Sequence, residues 1–508
     1  MTRRIAWSLA LALLAVPASA QPTFVNGLTL PGGMLDATRR PGANEGRFGF
    51  FSDIYYDSVR EEWWALADRG PGGGLISYDT RLSRFTIRVN STTGQISGFE
   101  VKETVKFTDP HGLLVQSAFD PDKNLNGLNP RDFNGSASIL GRSFDPEGLV
   151  VVPHTGHFIV ADEYGPSVYE FDRKGRLVRV FETPANLIPK VGATVNYNAT
   201  RDDGATAGRQ DNRGFEGLAI SPDGRTIYGV LQDPLVDDAP PADNNGRNRR
   251  TLRIIVFDNN KHNATYGKSI AQYAYQLELQ LDVRNRILAA GGLATATDPR
   301  QGRNIGLSAI LALNSHEFLV LERDNRGIGI DDPTGGNVVG SKRVYKIDIN
   351  GATNVAALNL PDNDDLTAAG ITPVTKSAVF LNIQANTVLP NQKQIEKWEG
   401  LAVGPRLRNG ARLLLVGNDN DFSVTQTGAG TQYDVYVNFL GSSVQRDLDQ
   451  PTKLNGLVVG APPAEYVLLP GVLHAYRASA SDLAGYVEPH ENDDDDDDDG
   501  DEHEDRDN

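Results

Sequence analysis

Cysteine is absent from this chain of 508 residues, and that absence removes several kinds of chemistry at once. A protein without cysteine has no thiol nucleophile, no disulfide, no iron–sulfur cluster and no cysteine-bound zinc. Methionine is scarce as well, with Met1 and Met34 as its two positions. The fold must therefore rest on packing, on sheet closure or on a bound metal.

Positive charge is in deficit. The chain has 49 Lys and Arg against 66 Asp and Glu, a formal net charge of −17. Nucleic-acid binding needs a basic surface, so this balance argues against a nucleic-acid partner. Thirteen of the acids fall in residues 491–508, where seven consecutive aspartates repel one another and cannot pack. We predict that residues 487–508 form a disordered acidic tail.

Several catalytic motifs are also missing. The sequence contains no Gly-x-Ser-x-Gly, no His-Glu-x-x-His and no glycine-rich phosphate loop before a helix. The eight histidines are scattered, and the closest useful pair, His154 and His157, falls in a turn between two predicted strands. These absences argue against the usual serine esterases and against histidine-ligated zinc hydrolases.

The N-terminus has the pattern of an export signal. Arg3 and Arg4 precede an apolar stretch over residues 5–16, and Ala18-Ser19-Ala20 follows as a cleavage pattern. The apolar stretch is too short for a membrane anchor, and no later segment reaches 18 apolar residues. We predict a signal peptide at residues 1–20 and a secreted or periplasmic protein with no membrane segment after its removal. The arginine pair leaves a twin-arginine signal open, although ordinary export fits better.

One phrase recurs five times along the chain: a polar or acidic residue, a short apolar strand, a turn, a second apolar strand and more acids. The copies lie at residues 52–70, 144–165, 215–233, 307–324 and 398–421. A third strand follows in several units, and turns such as Asn350-Gly351 lead to a fourth. Four strands per unit, repeated around a ring, are typical of a β-propeller.

We therefore predict an all-β fold over residues 21–486, a β-propeller with six blades of four antiparallel strands. Five or seven blades remain open. The five copies account for five blades, and residues 22–30 are expected to join residues 466–478 in a sixth that both termini close. The units are longer than a plain blade of about 40–50 residues, so long loop insertions are expected at 108–143, 182–214, 233–250 and 425–460.

Propeller geometry predicts where the acids converge. The residue before the first strand of a blade and the residue after the second strand share one face, near the central channel. The first position holds Asp53, Asp145, Glu147, Glu216 and Glu399, and the second holds Asp68, Asp162, Glu163, Asp233, Glu322, Asp324, Asp419 and Asp421. Such crowded carboxylates repel one another unless they are protonated or share a cation. Oxygen ligands alone favour Ca²⁺, with Mg²⁺ as the second choice.

Positive side chains are interspersed among these acids. Arg69, Arg213, Arg323 and Arg326 are adjacent in sequence to the predicted rim. Cations and arginines above an acidic floor suit an anionic small molecule such as a phosphate ester. The alternative is local: the acids cap strand ends, bind turn amides and pair with these arginines.

Five phrases within the repeats are the most specific part of the sequence: Phe144-Asp145-Pro146-Glu147-Gly148-Leu149, Ala161-Asp162-Glu163-Tyr164-Gly165-Pro166-Ser167-Val168-Tyr169, Phe215-Glu216-Gly217-Leu218-Ala219, Glu322-Arg323-Asp324 and Asn418-Asp419-Asn420-Asp421. Together they resemble the phytase-like family of exported bacterial β-propellers, which is described as having esterase-like activity of phytase type. The resemblance runs over most of residues 45–480. It implies that the recurrent acids serve phosphoester or ester hydrolysis, as the calcium-lined face of the β-propeller phytases serves phytate. The fourth unit departs from the pattern because Gly306-Leu307 has no preceding Glu.

The first hypothesis is an exported, calcium-dependent hydrolase of phosphate esters. Glu147 and Glu163 are candidates for the general base, and Arg69 and Arg323 are candidates for binding phosphoryl oxygens. The other acids of the predicted rim are candidate metal ligands. The rival hypothesis is a non-catalytic propeller, stabilised by calcium, that acts as a binding or scaffold module. A carboxylic-ester hydrolase ranks last because the sequence shows no nucleophile for it.

Overall fold

The structure is a computed structural model that describes residues 21–39, 46–116, 123–199, 204–238, 249–292, 305–361, 364–427, 430–455 and 457–490. The predicted signal peptide and residues 491–508 of the predicted acidic tail lie outside the described residues. None of the helices in the described part of the chain is long and apolar enough to cross a membrane.

Strands dominate the described residues, and two short helices accompany them. In chain order the strands are β1 (Thr23–Leu30), β2 (Asp53–Asp57), β3 (Glu62–Leu66), β4 (Arg81–Val89), β5 (Ile96–Lys106), β6 (Pro146–Val151), β7 (Phe158–Asp162), β8 (Ser167–Phe171), β9 (Leu177–Val180), β10 (Lys190–Val191), β11 (Thr194–Val195), β12 (Phe215–Ile220), β13 (Thr226–Leu231), β14 (Thr251–Asp258), β15 (Ser269–Gln276), β16 (Ile305–Ala312), β17 (Glu317–Asp324), β18 (Lys342–Asp348), β19 (Thr375–Asn382), β20 (Trp398–Arg406), β21 (Arg412–Asn418), β22 (Val424–Thr427), β23 (Thr431–Val437), β24 (Ser443–Asp447), β25 (Lys453–Leu454), β26 (Leu457–Val458), β27 (Val467–Leu468) and β28 (Gly471–Ala478). The helices are α1 (Pro130–Asn134) and α2 (Gln280–Ala289), and 3₁₀ turns lie at Ile383–Ala385, Pro390–Gln392 and Asp421–Ser423.

Five four-stranded antiparallel sheets form the blades of a propeller. Blade I is β2-β3-β4-β5, blade II is β6-β7-β8-β9, blade III is β12-β13-β14-β15, blade IV is β16-β17-β18-β19 and blade V is β20-β21-β28-β1. The first strand of each blade contacts the first strands of the next and the previous blade, and β20 of blade V packs back on β2 of blade I. The predicted β-propeller is therefore confirmed.

Burial distinguishes the interior of a blade from its outer edge. Every residue of the first strands β6 and β12 is buried, because both faces of these strands pack against neighbouring blades. The second strand β7 and the third strands β8 and β14 are buried along their whole length as well. The outer strand β9 alternates between buried and exposed positions instead, so alternation marks the periphery of the ring.

The blade count differs from the favoured six. The stretches that were expected to form a sixth blade, near both termini, instead become the two outer strands of blade V. β28 pairs with β21 along its length, and β1 adds to β28, so the fifth repeat is completed by both ends of the chain. Five blades, the lower alternative, account for the ring of the described residues.

Three of the four expected insertions carry their own small structures, and residues 239–248 of the insertion expected at 233–250 lie outside the described residues. Helix α1 lies within the first insertion, the β10-β11 hairpin lies within the second, and strands β22 to β27 form a separate sheet after blade V begins. Strand β22 leads this extra sheet directly from the end of β21, so the sheet sits beside the rim where the second strands end.

The described residues after β28 cross the opposite face. The Val487 amide donates to the Leu313 carbonyl at 2.7 Å, and the His490 amide donates to the Pro222 carbonyl at 3.0 Å. Tyr486 and Pro489 line the apolar central channel, a cavity of about 50 Å³, at this end. Residues 487–490, which were assigned to the acidic tail, thus lie against the propeller.

Candidate functional site

Strand register defines two equivalent positions in every blade. Where β6 pairs with β7, a bulge places Glu147 between paired residues Pro146 and Gly148, and Glu163 lies two residues beyond the partner of Gly148. The same bulge recurs between the first two strands of blades III, IV and V. In chain order the bulge position holds Ser52, Glu147, Glu216, Ser308 and Glu399, and the second position holds Asp68, Glu163, Gln232, Arg323 and Asp419. Blade IV therefore keeps the geometry and replaces the glutamate with Ser308.

Eight of these ten positions, all except Ser52 and Ser308, line one cavity of about 350 Å³ at the centre of the ring. Because equivalent positions of the blades converge at the centre of the ring, residues of all five blades line the cavity. Its carboxylates are Asp68, Glu147, Glu163, Glu216, Asp331, Glu399, Asp419 and Asp421, and its cationic side chains are Arg69, Arg213, Arg323 and Lys397. The formal charge of this lining is strongly negative, as the sequence predicts for the rim.

Three groups of carboxylates bring their oxygens within 4.8 Å of one another. The groups are Asp68 with Asp419 and Asp421, Asp68 with Asp145 and Glu147, and Glu147 with Glu163 and Glu216. Shared members link the groups into a continuous arc across blades I, II, III and V. Oxygen ligands at this spacing are the donor set that Ca²⁺ binds.

Two carboxylate oxygens in this arc have no hydrogen-bond partner. Glu163 Oε1 and Glu216 Oε2 are buried and unpaired, and both residues are 2% exposed. The hydroxyls of Ser52 and Ser308, at the bulge position of two other blades, are also buried and unpaired. Buried polar atoms without partners call for a water or an ion, so the donor set fits a hard cation.

Burial strongly perturbs these carboxylates. It raises the pKa of Glu163 and of Glu216 to about 8, and the neighbouring Glu216 and Glu399 carboxylates add to the two increases. Burial and then Asp145 raise the pKa of Asp68 to about 7. Burial, followed by Glu216, raises the pKa of Glu147 well above its usual range. A divalent cation would favour the ionised forms that burial disfavours.

The cationic side chains are held by the same acids. Arg69 Nη1 donates to Asp145 Oδ2 at 2.9 Å and also to the amide oxygen of Asn212. Arg323 Nη2 donates to Glu399 and lies 3.4 Å from Glu216 Oε1.

Lys397 completes this set of ion pairs. Its Nζ donates to Asp421 Oδ1 and lies 3.5 Å from Asp419 Oδ2.

Two predicted ligands, Asp162 and Asp324, instead bind backbone amides. Asp162 accepts hydrogen bonds from the amides of Asp145, Tyr164 and Gly165, at 2.7 to 3.1 Å. Asp324 accepts from the amides of Gly340 and Ser341 and pairs with Lys342 Nζ at 3.1 Å. Neither lines the cavity.

Three further predicted ligands also lie away from the cavity. Asp53 accepts from the Leu149 amide at 2.8 Å and thereby links blades I and II beside the central channel. Glu322 accepts from the Tyr275 hydroxyl, from Lys376 Nζ and from the Glu278 amide. Asp233 pairs with Arg213 Nε at 3.3 Å.

Sequence reasoning missed five polar residues of the cavity wall outside β22: Asn212, Gln232, Asn325, Asp331 and Lys397. Lys397 directly precedes the Trp398-Glu399-Gly400 phrase, and its closeness to the rim acid Glu399 in the sequence could have identified it. Asn212 precedes Arg213, has a positive φ of 51° and faces Arg69. Residues of β22 also line the cavity, and they come from the extra sheet, whose position no repeat predicts.

The profile of the phytase-like family, described as "Esterase-like activity of phytase", matches residues 46–422. The chain belongs to the phytase-like family. The match spans blades I to IV and the first two strands of blade V, and so includes every repeated position of the cavity. The family resemblance seen in the sequence is confirmed.

A relative and two solved structures complete the comparisons. A protein of Arthroderma benhamiae named "Uncharacterized secreted protein" is 29% identical over 308 residues, which cover 54% of this chain and 56% of the relative. The alignment thus spans little more than half of that relative's length.

The two structures are a "Dos1 propeller" and a "putative 6-phosphogluconolactonase" of Bacteroides uniformis. The first is 8% identical, with a TM-score of 0.27, and covers 88% of this chain and 71% of its own. The second is 12% identical, with a TM-score of 0.28, and covers 82% and 86%. Scores this low carry no argument about fold or function.

Proposed function

We propose that this member of the phytase-like family is an exported, calcium-dependent hydrolase of phosphate esters. One observation carries the proposal: carboxylates from four blades converge on a single cavity, their oxygens lie within 4.8 Å in three groups, and cationic side chains stand among them. Acidic clusters for a hard cation and basic groups for an anion in the same cavity are what a metal-assisted phosphoester hydrolase needs.

Calcium fits this donor set better than magnesium does. The arc offers more carboxylate oxygens than the one or two carboxylates on which Mg²⁺ usually relies, and it lacks histidine and thiolate. The Asp68, Asp419 and Asp421 group, together with Glu216, supplies the proposed ligands, and Glu163 is kept for proton transfer. Bound calcium would supply positive charge that draws electron density from a phosphoryl oxygen.

The chain's own residues would bind the substrate and move a proton. Arg69, held in place by Asp145 and Asn212, and Arg323 would orient the phosphoryl oxygens. Glu163 is the proposed general base because its Oε1 is buried in the cavity wall without another partner. It would take a proton from the attacking water as the water oxygen bonds to phosphorus and the ester phosphorus–oxygen bond breaks, and the departing alkoxide would take up a proton from solvent water to leave as the alcohol.

Export is part of the proposal. The Arg3-Arg4 leader with its Ala18-Ser19-Ala20 cleavage pattern supports it, and the similar protein of Arthroderma benhamiae is named as secreted. An extracellular or periplasmic location would also suit calcium, which such compartments supply at higher concentration than the cytoplasm does.

Substitution of the proposed base tests the assignment. We expect Glu163→Gln to lower phosphate release by about 100-fold or more, since general base catalysis contributes that much. Glu103→Gln, an exposed glutamate on blade I, is the control and should keep full turnover. Calcium that raises the melting temperature of the wild type without any turnover would favour the rival function, a calcium-stabilised binding module.

A further inference from the structure

The cationic side chains of the cavity are bound to the carboxylates that a cation would need. Lys397 Nζ contacts Asp421 and lies 3.5 Å from Asp419, so it occupies two of the three acids in one group. Arg323 Nη2 contacts Glu399 and lies 3.4 Å from Glu216, which belongs to another group. The ion pairs and the candidate cation sites therefore use the same carboxylate groups.

These two uses compete. A carboxylate that ligates a divalent cation holds an ammonium or guanidinium less strongly, because the cation takes up its negative charge and the two positive charges repel at that range. A cation that enters the Asp68, Asp419 and Asp421 group competes with Lys397 Nζ for two of its acids. A cation on Glu216 Oε2, the oxygen without a partner, weakens the attraction between Oε1 and Arg323 because both oxygens share one negative charge.

A displaced Lys397 remains in the cavity. Its backbone is fixed, because its carbonyl accepts the Asp419 amide at 2.9 Å and the next residue begins strand β20. Its side chain is 23% exposed and lines the cavity, so the ammonium can turn from the carboxylates toward the cavity centre. Arg323 also lines the cavity and has a second contact to the Asn325 amide oxygen.

We propose that a divalent cation makes Lys397 and Arg323 available to bind an anion. Without the cation, the carboxylates hold both side chains in ion pairs. When the cation binds, both side chains are released to bind a phosphoryl group. This inference rests on the proposed function and adds Lys397 to its substrate-binding residues. It makes cation binding and anion binding cooperative, with each ligand tightening the other by the same factor.

Calorimetric titration tests the release. Calcium is titrated into the wild-type protein with and without inorganic phosphate, below the solubility limit of calcium phosphate, and phosphate is titrated with and without calcium. We expect each ligand to tighten the other by about 5- to 150-fold, the usual range of such coupling.

The Lys397→Met variant tests whether the ammonium of Lys397 itself competes with calcium and carries the coupling between calcium and phosphate. Without its competing ammonium, the variant should bind calcium more tightly than the wild type when phosphate is absent, and most of the coupling should disappear. Lys346→Met is the matched control, because Lys346 pairs with Glu317 at 2.9 Å outside the cavity. It should leave both affinities and their coupling unchanged. If Lys397→Met does not fold, Arg323→Gln provides the same comparison for the second group.

The outcomes distinguish this inference from the function beneath it. Calcium and phosphate that bind independently, or a Lys397→Met protein that binds calcium no more tightly than the wild type, would overturn the release. Calcium-dependent turnover without coupling would leave the hydrolase intact and overturn the release alone. Coupling without turnover on any phosphate ester would support the release and overturn the catalytic proposal.

Discussion

Asp162 ends the second strand of blade II and Asp421 follows the second strand of blade V, yet their surroundings give them different roles. Asp162 is fully buried and accepts three backbone amides, whereas Asp421 is partly exposed and pairs with Lys397 in the cavity. The first holds the turn after β7 in place, and the second belongs to the candidate cation site.

Asp162→Ala should therefore destabilise the protein without changing the cavity. The substitution leaves the amides of Asp145, Tyr164 and Gly165 without their partner, and each buried unpaired donor costs about 1–3 kcal/mol. We expect the free energy of unfolding, measured by urea denaturation, to fall by about 3 kcal/mol or more. Asp421→Ala should change it by less than about 1 kcal/mol. Equal losses in the two variants would contradict this division of roles.

Strand alternation explains which rim acids the sequence placed correctly in the cavity. Neighbouring residues of a strand point to opposite faces, so only one residue of a pair reaches the axis. Glu163 lines the cavity and Asp162 turns back into its blade, and Arg323 lines it while Glu322 and Asp324 turn away. The repeats predict the rim, but register decides which member of each pair faces it.

At the scale of the element, a close contact between neighbouring blades explains the glycine of the recurrent Glu-Gly-Leu sequence. Inner strands approach so closely that a Cβ built on Gly148 would lie 2.6 Å from the Leu218 amide nitrogen of the next blade. A Cβ on Gly400 would similarly lie 2.6 Å from Ile54 Cγ1. The glycine permits this approach, and the bulge beside it turns the preceding glutamate into the cavity.

Gly148→Ala should strain this contact. The added methyl group meets backbone atoms, which cannot move aside as a flexible side chain can, so we expect a loss of about 2 kcal/mol or more. Gly430→Ala is the control because no heavy atom lies within 4 Å of its Cβ, and it should change stability by no more than about 0.5 kcal/mol. Thermal and urea unfolding measure both. A Gly148→Ala protein as stable as the control would show that the inner strands can separate without cost.

The blade count could be predicted less well than the blade pattern. Local periodicity identifies each strand, because burial on one or both faces leaves a signal within a few residues. The pairing of β1 with β28, more than 400 residues apart, was expected because both termini were predicted to close one blade. The pairing of β28 with β21, which makes both strands part of blade V, is specified by no local pattern. The extra sheet from β22 to β27 has no counterpart in the described parts of the other blades. No repeat in the sequence could therefore predict that this sheet contributes to the cavity wall.

For the whole molecule, the buried carboxylates predict an unusual dependence on pH. Burial raises the pKa of Glu163 and Glu216 to about 8 and that of Asp68 and Glu399 to about 7, far above their values in an unfolded chain. The folded, calcium-free protein therefore holds protons that the unfolded chain has released. Its stability is fully present below the unfolded pKa values and is lost as the pH rises through the folded ones.

The calcium-free protein should accordingly lose stability progressively between about pH 4 and about pH 8. Each proton that the folded protein holds and the unfolded chain has released lowers the free energy of unfolding by about 1.4 kcal/mol per pH unit. Saturating calcium should reduce this loss, because the cation then replaces the protons between the carboxylates. Urea denaturation at several pH values, after chelation and after calcium addition, provides the measurement. If the stability of the calcium-free protein rises with pH instead, the carboxyl groups are not buried in their protonated form, and the prediction is wrong.

The central claim is that the acidic cavity hydrolyses phosphate esters with calcium. The most direct test measures phosphate release from phytate and from a simple phosphomonoester by the mature protein, first after chelation and then with calcium restored. The account predicts release with calcium and none after chelation. A folded protein that releases no phosphate under either condition would contradict it.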